Sequence, residues 1–315
     1  MRAKRAVVAI GGNSLIKDKQ HQTVQDQYQA MKETTASIAD MVADGWEVAV
    51  THGNGPQVGF ILRRSELSRH ELHEVPLDAC GADSQGAIGY GLQQNLRNHL
   101  LARGVDRPVA TVVTQVEVSG DDPAWAKPSK PIGSFMTAET AAERKAAEGW
   151  VVVEDAGRGW RRVVPSPEPL AIVEADVVRM LLDAGVIVIT VGGGGIPVVR
   201  RPDGSLKGVD AVIDKDLASA MLATVIEAGL LVITTAVEKV ALGWGTPQQR
   251  WVDRLTLAEA KQYLADGSHF AAGSMAPKIQ ACIDYLEAGG GEVLVTDPEH
   301  LPAAMRGETG TRIVP

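Results

Sequence analysis

Three glycine-rich stretches and a handful of lysines carry the chemistry this chain can offer. The stretches are AIGGNS (9–14), THGNGPQVG (51–59) and TVGGGGIP (190–197), each at the end of an apolar run. Glycine at such places permits positive φ and lets backbone N–H groups approach an anion, helped by the positive end of a following helix. Phosphate oxygens are the natural guest. Glycine also makes plain tight turns, but three such loops at one end of one sheet favour a ligand. Lys215 stands between Asp214 and Asp216 in GVDAVIDKDLASAML (208–222), where a helix is expected to start. Lys278 falls in the first turn of another, in GSMAPKIQA (273–281). A lysine at a helix start opposes the helix dipole and needs a reason, such as an anionic ligand. A solvated surface lysine is the ordinary alternative, and for Lys215 a structural ion pair with its flanking aspartates is a rival. Lys127 and Lys130 sit among prolines in KPSKPIGSFM (127–136).

The common phosphate signatures do not account for these loops. Gly11-Gly12-Asn13-Ser14-Leu15-Ile16 departs from G-x-G-x-x-G at its later positions, and the sequence holds no G-x-x-x-x-G-K-[ST], H-R-D or D-F-G. A dinucleotide-dependent dehydrogenase and the widespread kinase classes are thereby set aside. The seven histidines show no metal-ligand spacing. His52, beside the second glycine loop, reads as a residue that fixes the loop rather than as a catalyst. Cys80 and Cys282 read as core residues.

The elements that must position these groups alternate along the chain. A short apolar strand is expected at 6–10, a helix over 24–42, a strand at 46–51 and a helical stretch over 58–67. A further helix runs from Asp83 to Gly104, and near-continuous apolar runs at 109–118, 186–191, 230–237 and 292–296 read as strands. Such runs suit parallel strands covered on both faces, so the pattern selects an α/β, doubly wound, mainly parallel sheet. Residues 119–170 interrupt it, holding six of the sixteen prolines and three of the six tryptophans. Within them WVVVEDAGRGWRRVVPSP (150–167) reads as a hairpin turned at Gly157-Arg158-Gly159. The segment reads as a small subdomain or lid inserted in one domain spanning 1–315; a surface insertion without a role is the alternative.

Composition bounds the partners. The chain has 315 residues, 45% hydrophobic and 22% charged, with a net charge of −8 and no compensating basic block. Nucleic acid and membrane are therefore not expected as partners. Two cysteines far apart fit a reduced, cytoplasmic chain, and the apolar run behind the basic start is too short for a signal-peptide core or a membrane span.

AIGGNS, THGNGPQVG, GVDAVIDKDLAS, TAVEKVAL (235–242), AAGSMAPKI (271–279) and the terminal AMRGETGTRIV (304–314) together resemble the carbamate kinases of the amino-acid kinase family, over nearly the whole chain. The resemblance implies an open αβα sandwich with a protruding subdomain over the carbamate side. It further implies a homodimer that exchanges phosphoryl between ATP and carbamate with Mg²⁺, in the usual case running toward ATP. On the matching positions it gives Gly11, Gly12, Asn13, Gly53, Asn54 and Gly55 to the transferring phosphoryl and carbamate. Lys130, Lys215 and Lys278 neutralise charge, Asp214 orients them, and Ala236, Val237, Met275 and Pro277 line an adenine pocket, with Gly193 and Gly194 near nucleotide phosphate. Other members of the family keep a lysine two residues before the first Gly-Gly, where this chain has Ala9. That departure is itself similar to carbamate kinases, in which the protruding subdomain supplies a lysine matching Lys130. Another small-molecule kinase of the family, or a nucleotide sensor without catalysis, are the alternative readings.

Overall fold

The computed structural model describes residues 4–11, 15–16, 18, 20–154, 159–271 and 274–315. The first half of the chain runs β1 (Arg5–Ile10), α1 (Val24–Ala43), β2 (Glu47–His52), α2 (Gly55–Ser68), α3 (Leu77–Ala102), β3 (Val109–Thr111) and β4 (Gln115–Val118). There follow β5 (Lys130–Met136), α4 (Ala138–Glu148), β6 (Val151–Glu154), β7 (Trp160–Val164), β8 (Pro169–Ile172), α5 (Ala175–Asp183) and β9 (Ile187–Ile189). Next come β10 (Ile196–Arg200), β11 (Leu206–Gly208), α6 (Lys215–Val225), β12 (Leu230–Thr234), β13 (Val240–Leu242) and β14 (Arg250–Val252). The chain closes with β15 (Arg254–Thr256), α7 (Leu257–Asp266), α8 (Met275–Glu287), β16 (Glu292–Thr296), α9 (Leu301–Met305) and β17 (Thr311–Val314).

The main sheet has the order β15-β17-β16-β12-β1-β2-β9-β3. Its pairs are parallel except β16 with β17. Strand alternation divides the core in two. Ala6, Val8 and Ile10 of β1 face a layer built on α1, α3 and α9, with Ile38, Leu92 and Leu301 among its members. Val7 and Ala9 face the other layer, where α5, α6 and α8 contribute Leu182, Leu222 and Ile283. Helices on both faces explain why these strands are apolar at every position instead of every second one. The sandwich expected from the sequence is the architecture found.

The proline-rich excursion leaves by β4 and returns by β8. These two strands pair antiparallel in a second sheet, ordered β11-β10-β4-β8. Between them β5, β7 and β6 form a separate antiparallel sheet with α4 beside it. The expected hairpin is β6–β7, with Glu154 opposite Trp160; Gly157 and Arg158 of its turn lie outside the described residues.

Three expected boundaries move. The run 109–118 is two strands in two sheets, because the side chain of Gln85 claims the backbone between them. Its Nε2 donates to the Thr114 carbonyl (3.0 Å) and its Oε1 accepts from the Thr114 N–H (2.7 Å), while the same carbonyl accepts from Ile196 of β10, where the chain has passed to the second sheet. The strand expected at 230–237 ends at Thr234, and residues 236–239 bend away. Helix α3 starts at Leu77, six residues before the expected Asp83, directly behind Pro76 at its N-cap. The glycines in α3 have a packing reason further along: a Cβ on Gly91 would stand 2.4 Å from Met31 Sδ in α1.

Gln85→Ala removes three bonds at once, because its Nε2 also donates to the Gly192 carbonyl at 2.9 Å. The Thr114 and Gly192 carbonyls keep donors from Ile196 and Gly195, so the Thr114 N–H alone is left unpaired. Urea unfolding of this variant is expected to show a loss of about 1–3 kcal/mol with an unchanged m-value.

Candidate active site

Strands β12, β1, β2 and β9 are consecutive neighbours in the sheet, and the glycine loops leave the same carboxyl edge side by side. That edge is where open α/β sheets bind ligands. Gly11 follows β1, and its N–H donates to Thr234 Oγ1 at the end of β12 (3.0 Å). Gly12 and Asn13 lie outside the described residues. The Gly53 N–H donates back to the Ile10 carbonyl (2.9 Å), locking the second loop to the first. Asn54 is buried and donates from Nδ2 to Ser84 Oγ of α3 (2.8 Å), so its side chain fixes the loop instead of capping α2. Gly55 is the first residue of α2 and is exposed, and a Cβ there would meet nothing within 4 Å. Its environment is open space at a helix amino terminus, a place suited to an anion.

The third loop is explained by packing. Gly192–Gly194 form a tight turn whose members are all buried. A Cβ on Gly192 would lie 2.5 Å from His52 Nε2, one on Gly193 2.1 Å from Asn54 Nδ2, and one on Gly194 2.6 Å from the Ile213 carbonyl. Gly193 and Gly194 have φ of +70° and +93°. Their glycine character therefore serves close approach to His52, Asn54 and the segment before α6, a reason independent of any nucleotide.

All three candidate lysines meet the first turn of α6. Asp214 is its N-cap: Oδ1 accepts from the N–H groups of Asp216 and Leu217, and Oδ2 accepts from Lys130 Nζ at 2.8 Å. Lys215 is the first helical residue and donates to Asp216 Oδ1 at 2.5 Å. Lys278, from the first turn of α8, donates to the other oxygen of the same carboxylate at 2.7 Å. Asp214 thus orients Lys130 alone. The residue that orients Lys215 and Lys278 is Asp216, which the sequence offered only as an ion-pair partner of Lys215. The ion pair weighed as a rival for Lys215 does exist, but two ammonium groups share its single carboxylate. The signal was present in the Asp-Lys-Asp triplet; which aspartate turns inward depends on the approach of α8, and no local pattern specifies that.

The electrostatics follow from burial. Asp216 is 2% exposed. Burial acts to raise its carboxyl, but Lys215 and Lys278 override that and hold it at about 2. Burial, seconded by Lys278, lowers the Lys215 ammonium against the pull of Asp216. Three lysines and two aspartates leave a surplus positive charge at the mouth of the glycine loops. Below them Thr51 of β2 donates to Ser219 Oγ (2.6 Å), whose hydroxyl donates to the Lys215 carbonyl (2.5 Å), tying α6 to the strand edge. His52 is buried, with Nδ1 3.1 Å from the Gly53 carbonyl, and burial pushes its imidazole down to about 4. A neutral ring packed under two loops is structural, as expected. Ala236 and Val237 lie on the loop after β12, exposed and half-buried, while Met275 and Pro277 are half-buried in the first turn of α8.

This arrangement, an αβα sandwich with amide-rich loops and lysines gathered at one sheet edge, is that of an enzyme handling phosphate groups. The chain belongs to the amino acid kinase family, whose sequence profile matches residues 4–297. Over its full length it is similar to carbamate kinases and carbamate kinase-like proteins. A carbamate kinase-like protein of Escherichia coli is 52% identical over 311 residues, covering 98% of each chain. The carbamate kinase of Thermococcus kodakarensis is 46% identical over 314 residues, covering 99% of each. The structure of carbamate kinase from Giardia lamblia bound to AMP-PNP superposes with a TM-score of 0.92 at 39% identity, covering 99% of both chains.

Two outcomes are expected from the buried charges. Asp216→Asn leaves two ammonium groups without their shared counter-charge, and breaking a buried pair in this way costs about 3–5 kcal/mol; chemical denaturation should register that loss. For His52 the folded value lies below the ordinary 6.5. The unfolded chain therefore takes up a proton that the folded chain refuses, and stability present above pH 6.5 is lost as pH falls toward 4. Between pH 7 and pH 4.5 wild type should lose about 2 kcal/mol more than His52→Asn, read from urea curves at the two pH values.

Proposed function

We propose that this chain is an ATP:carbamate phosphotransferase, converting ATP and carbamate to ADP and carbamoyl phosphate and back. The observation that carries the reading is the convergence of Lys130, Lys215 and Lys278 on two adjacent aspartates at the glycine-loop edge. Carbamate is already an anionic oxygen nucleophile, so the reaction needs no general base. The obstacle is bringing that anion against a negatively charged phosphoryl group. Positioning and charge neutralisation then do the catalysis, and a site of lysines and backbone amides around a neutral histidine suits that demand. Full-length similarity to carbamate kinases supports the same reading over other small-molecule kinases.

In this reading Gly11, Gly53, Asn54 and Gly55, with Gly12 and Asn13, hold the transferring phosphoryl and carbamate. The exposed amino terminus of α2 at Gly55 faces the developing charge. Lys215 and Lys278, preset by Asp216, neutralise the β- and γ-phosphates. Ala236, Val237, Met275 and Pro277 take the adenine. Mg²⁺ enters as part of the nucleotide substrate. Asp214 and Asp216 are already saturated by lysines and backbone amides, so the cluster is built for anionic oxygen and leaves the metal to the phosphates. The segment 119–170 acts as a lid that delivers Lys130. We further place the chain in the cytoplasm as a homodimer, running toward ATP; its two free, buried cysteines fit a reducing compartment.

Mixing the protein with carbamoyl phosphate, ADP and Mg²⁺ should yield ATP in a luciferase assay, and none forming would overturn the assignment. Lys130→Ala should lower kcat by about 10²–10³. Its ion pair with Asp214 is partly exposed, so Tm should barely move. Lys127 is exposed and forms no ion pair among the described residues, so Lys127→Ala should stay within a few-fold of wild type. Equal loss in both variants would show that Lys130 is not the lysine delivered.

A further inference from the structure

A cleft of about 780 Å³ lies between α2 and the excursion sheet, and none of Lys130, Lys215 and Lys278 lines it. Its floor is one face of α2, with Gly59, Leu62, Arg63 and Glu66 at successive turns; its roof is β5 beyond Ile132, with β7 and α4. The two walls cross closely at Gly59, where a Cβ would stand 3.2 Å from the Gly133 Cα. On one side of that crossing α2 and β5 carry Gly55 and Lys130. On the other side they enclose the cleft.

Its charge is unbalanced. Arg63, Arg144 and Arg162 line it against one carboxylate, Glu66. Arg63 and Arg144 reach Glu66 at 3.1 and 3.5 Å, and Arg144 also pairs with Glu148. Arg162 has no carboxylate within ion-pair distance among the described residues. Its guanidinium lies 4.9 Å from the centroid of the Trp150 ring, and that of Arg144 lies 5.1 Å from it. In a chain with a net charge of −8, a concave surplus of guanidinium over an indole is a recognition surface. The volume falls within the range of small-molecule sites, about 300–1,000 Å³.

We propose that this cleft is a second ligand site, separate from the phosphate site, for a flat organic monoanion. The ring of such a ligand packs along Leu62 and Trp150, and its carboxylate or sulfonate takes the unpaired face of Arg162. An occupant there bears on the same helix and strand that hold Gly55 and Lys130 beyond the crossing.

Fluorescence titration of the full-length protein with 8-anilino-1-naphthalenesulfonate tests this. One probe per chain is expected, bound at least tenfold tighter than uncharged 1-anilinonaphthalene and not displaced by saturating ADP with carbamoyl phosphate. Arg162→Gln removes the anion's partner, and Thr140→Trp fills the cleft from its exposed rim on α4. Each should weaken binding at least tenfold with circular dichroism and Tm unchanged; the two act from different walls, so either decides if the other misfolds. No binding, binding that survives both variants, equal affinity for the uncharged amine, or displacement by ADP would each overturn the proposal.

Discussion

One carboxylate held between two ammonium groups organises this molecule. Asp216 belongs to α6 and Lys278 to α8, so their contact fixes the pitch at which these helices pack over the sheet. Taken from water singly, each of these charges would be prohibitively costly; grouped, they are tolerable only if the geometry is fixed. The Thr51–Ser219 bond supplies that fixity from the sheet, and Asp214 extends the cluster outward to Lys130. Lys215 and Lys278 are therefore held in place by the protein itself, which meets their desolvation cost on folding.

The same constraint accounts for the glycines. Once α6 is pinned to the carboxyl edge, the segment leading into it must pass close behind the third loop, and the Ile213 carbonyl leaves no room for a side chain on Gly194. His52 and Asn54 take the remaining space from the other side. In the second loop Gly53 and Asn54 are buried and the Gly53 N–H is taken by the Ile10 carbonyl, so its open part is the start of α2 at Gly55. Of three loops that look alike in sequence, the third has its glycines packed against His52, Asn54 and Ile213.

What could be read from the sequence divides along physical lines. Alternating apolar runs gave the sandwich, because covering both faces of a parallel sheet leaves its mark on every strand residue. Lys215 and Lys278 stood out because a cation at a helix start is locally unfavourable and needs an explanation elsewhere. Asp216 did not, since its role is made by a helix sixty residues away. The break between β3 and β4 was hidden for a similar reason: residues 112–114 are ordinary strand formers, and the side-chain amide of Gln85 that takes the Thr114 N–H comes from another element.

Strand β1 has a consequence for how the chain comes into being. Its partner on one flank, β2, follows within fifty residues, but its partner on the other, β12, begins at Leu230. During synthesis β1, β2, β9 and β3 can assemble as half a sheet while the open flank of β1 waits for more than forty further residues. That flank is an unpaired edge, apolar from Ala6 to Ile10, the kind that recruits other chains. Lys215 and Asp216 of α6 are made before β12, but Lys278 of α8 comes after it. A nascent or truncated chain ending before β12 would thus hold an incomplete charge cluster beside an adhesive edge, and its rescue by chaperones or its removal by proteases is decided at a single seam.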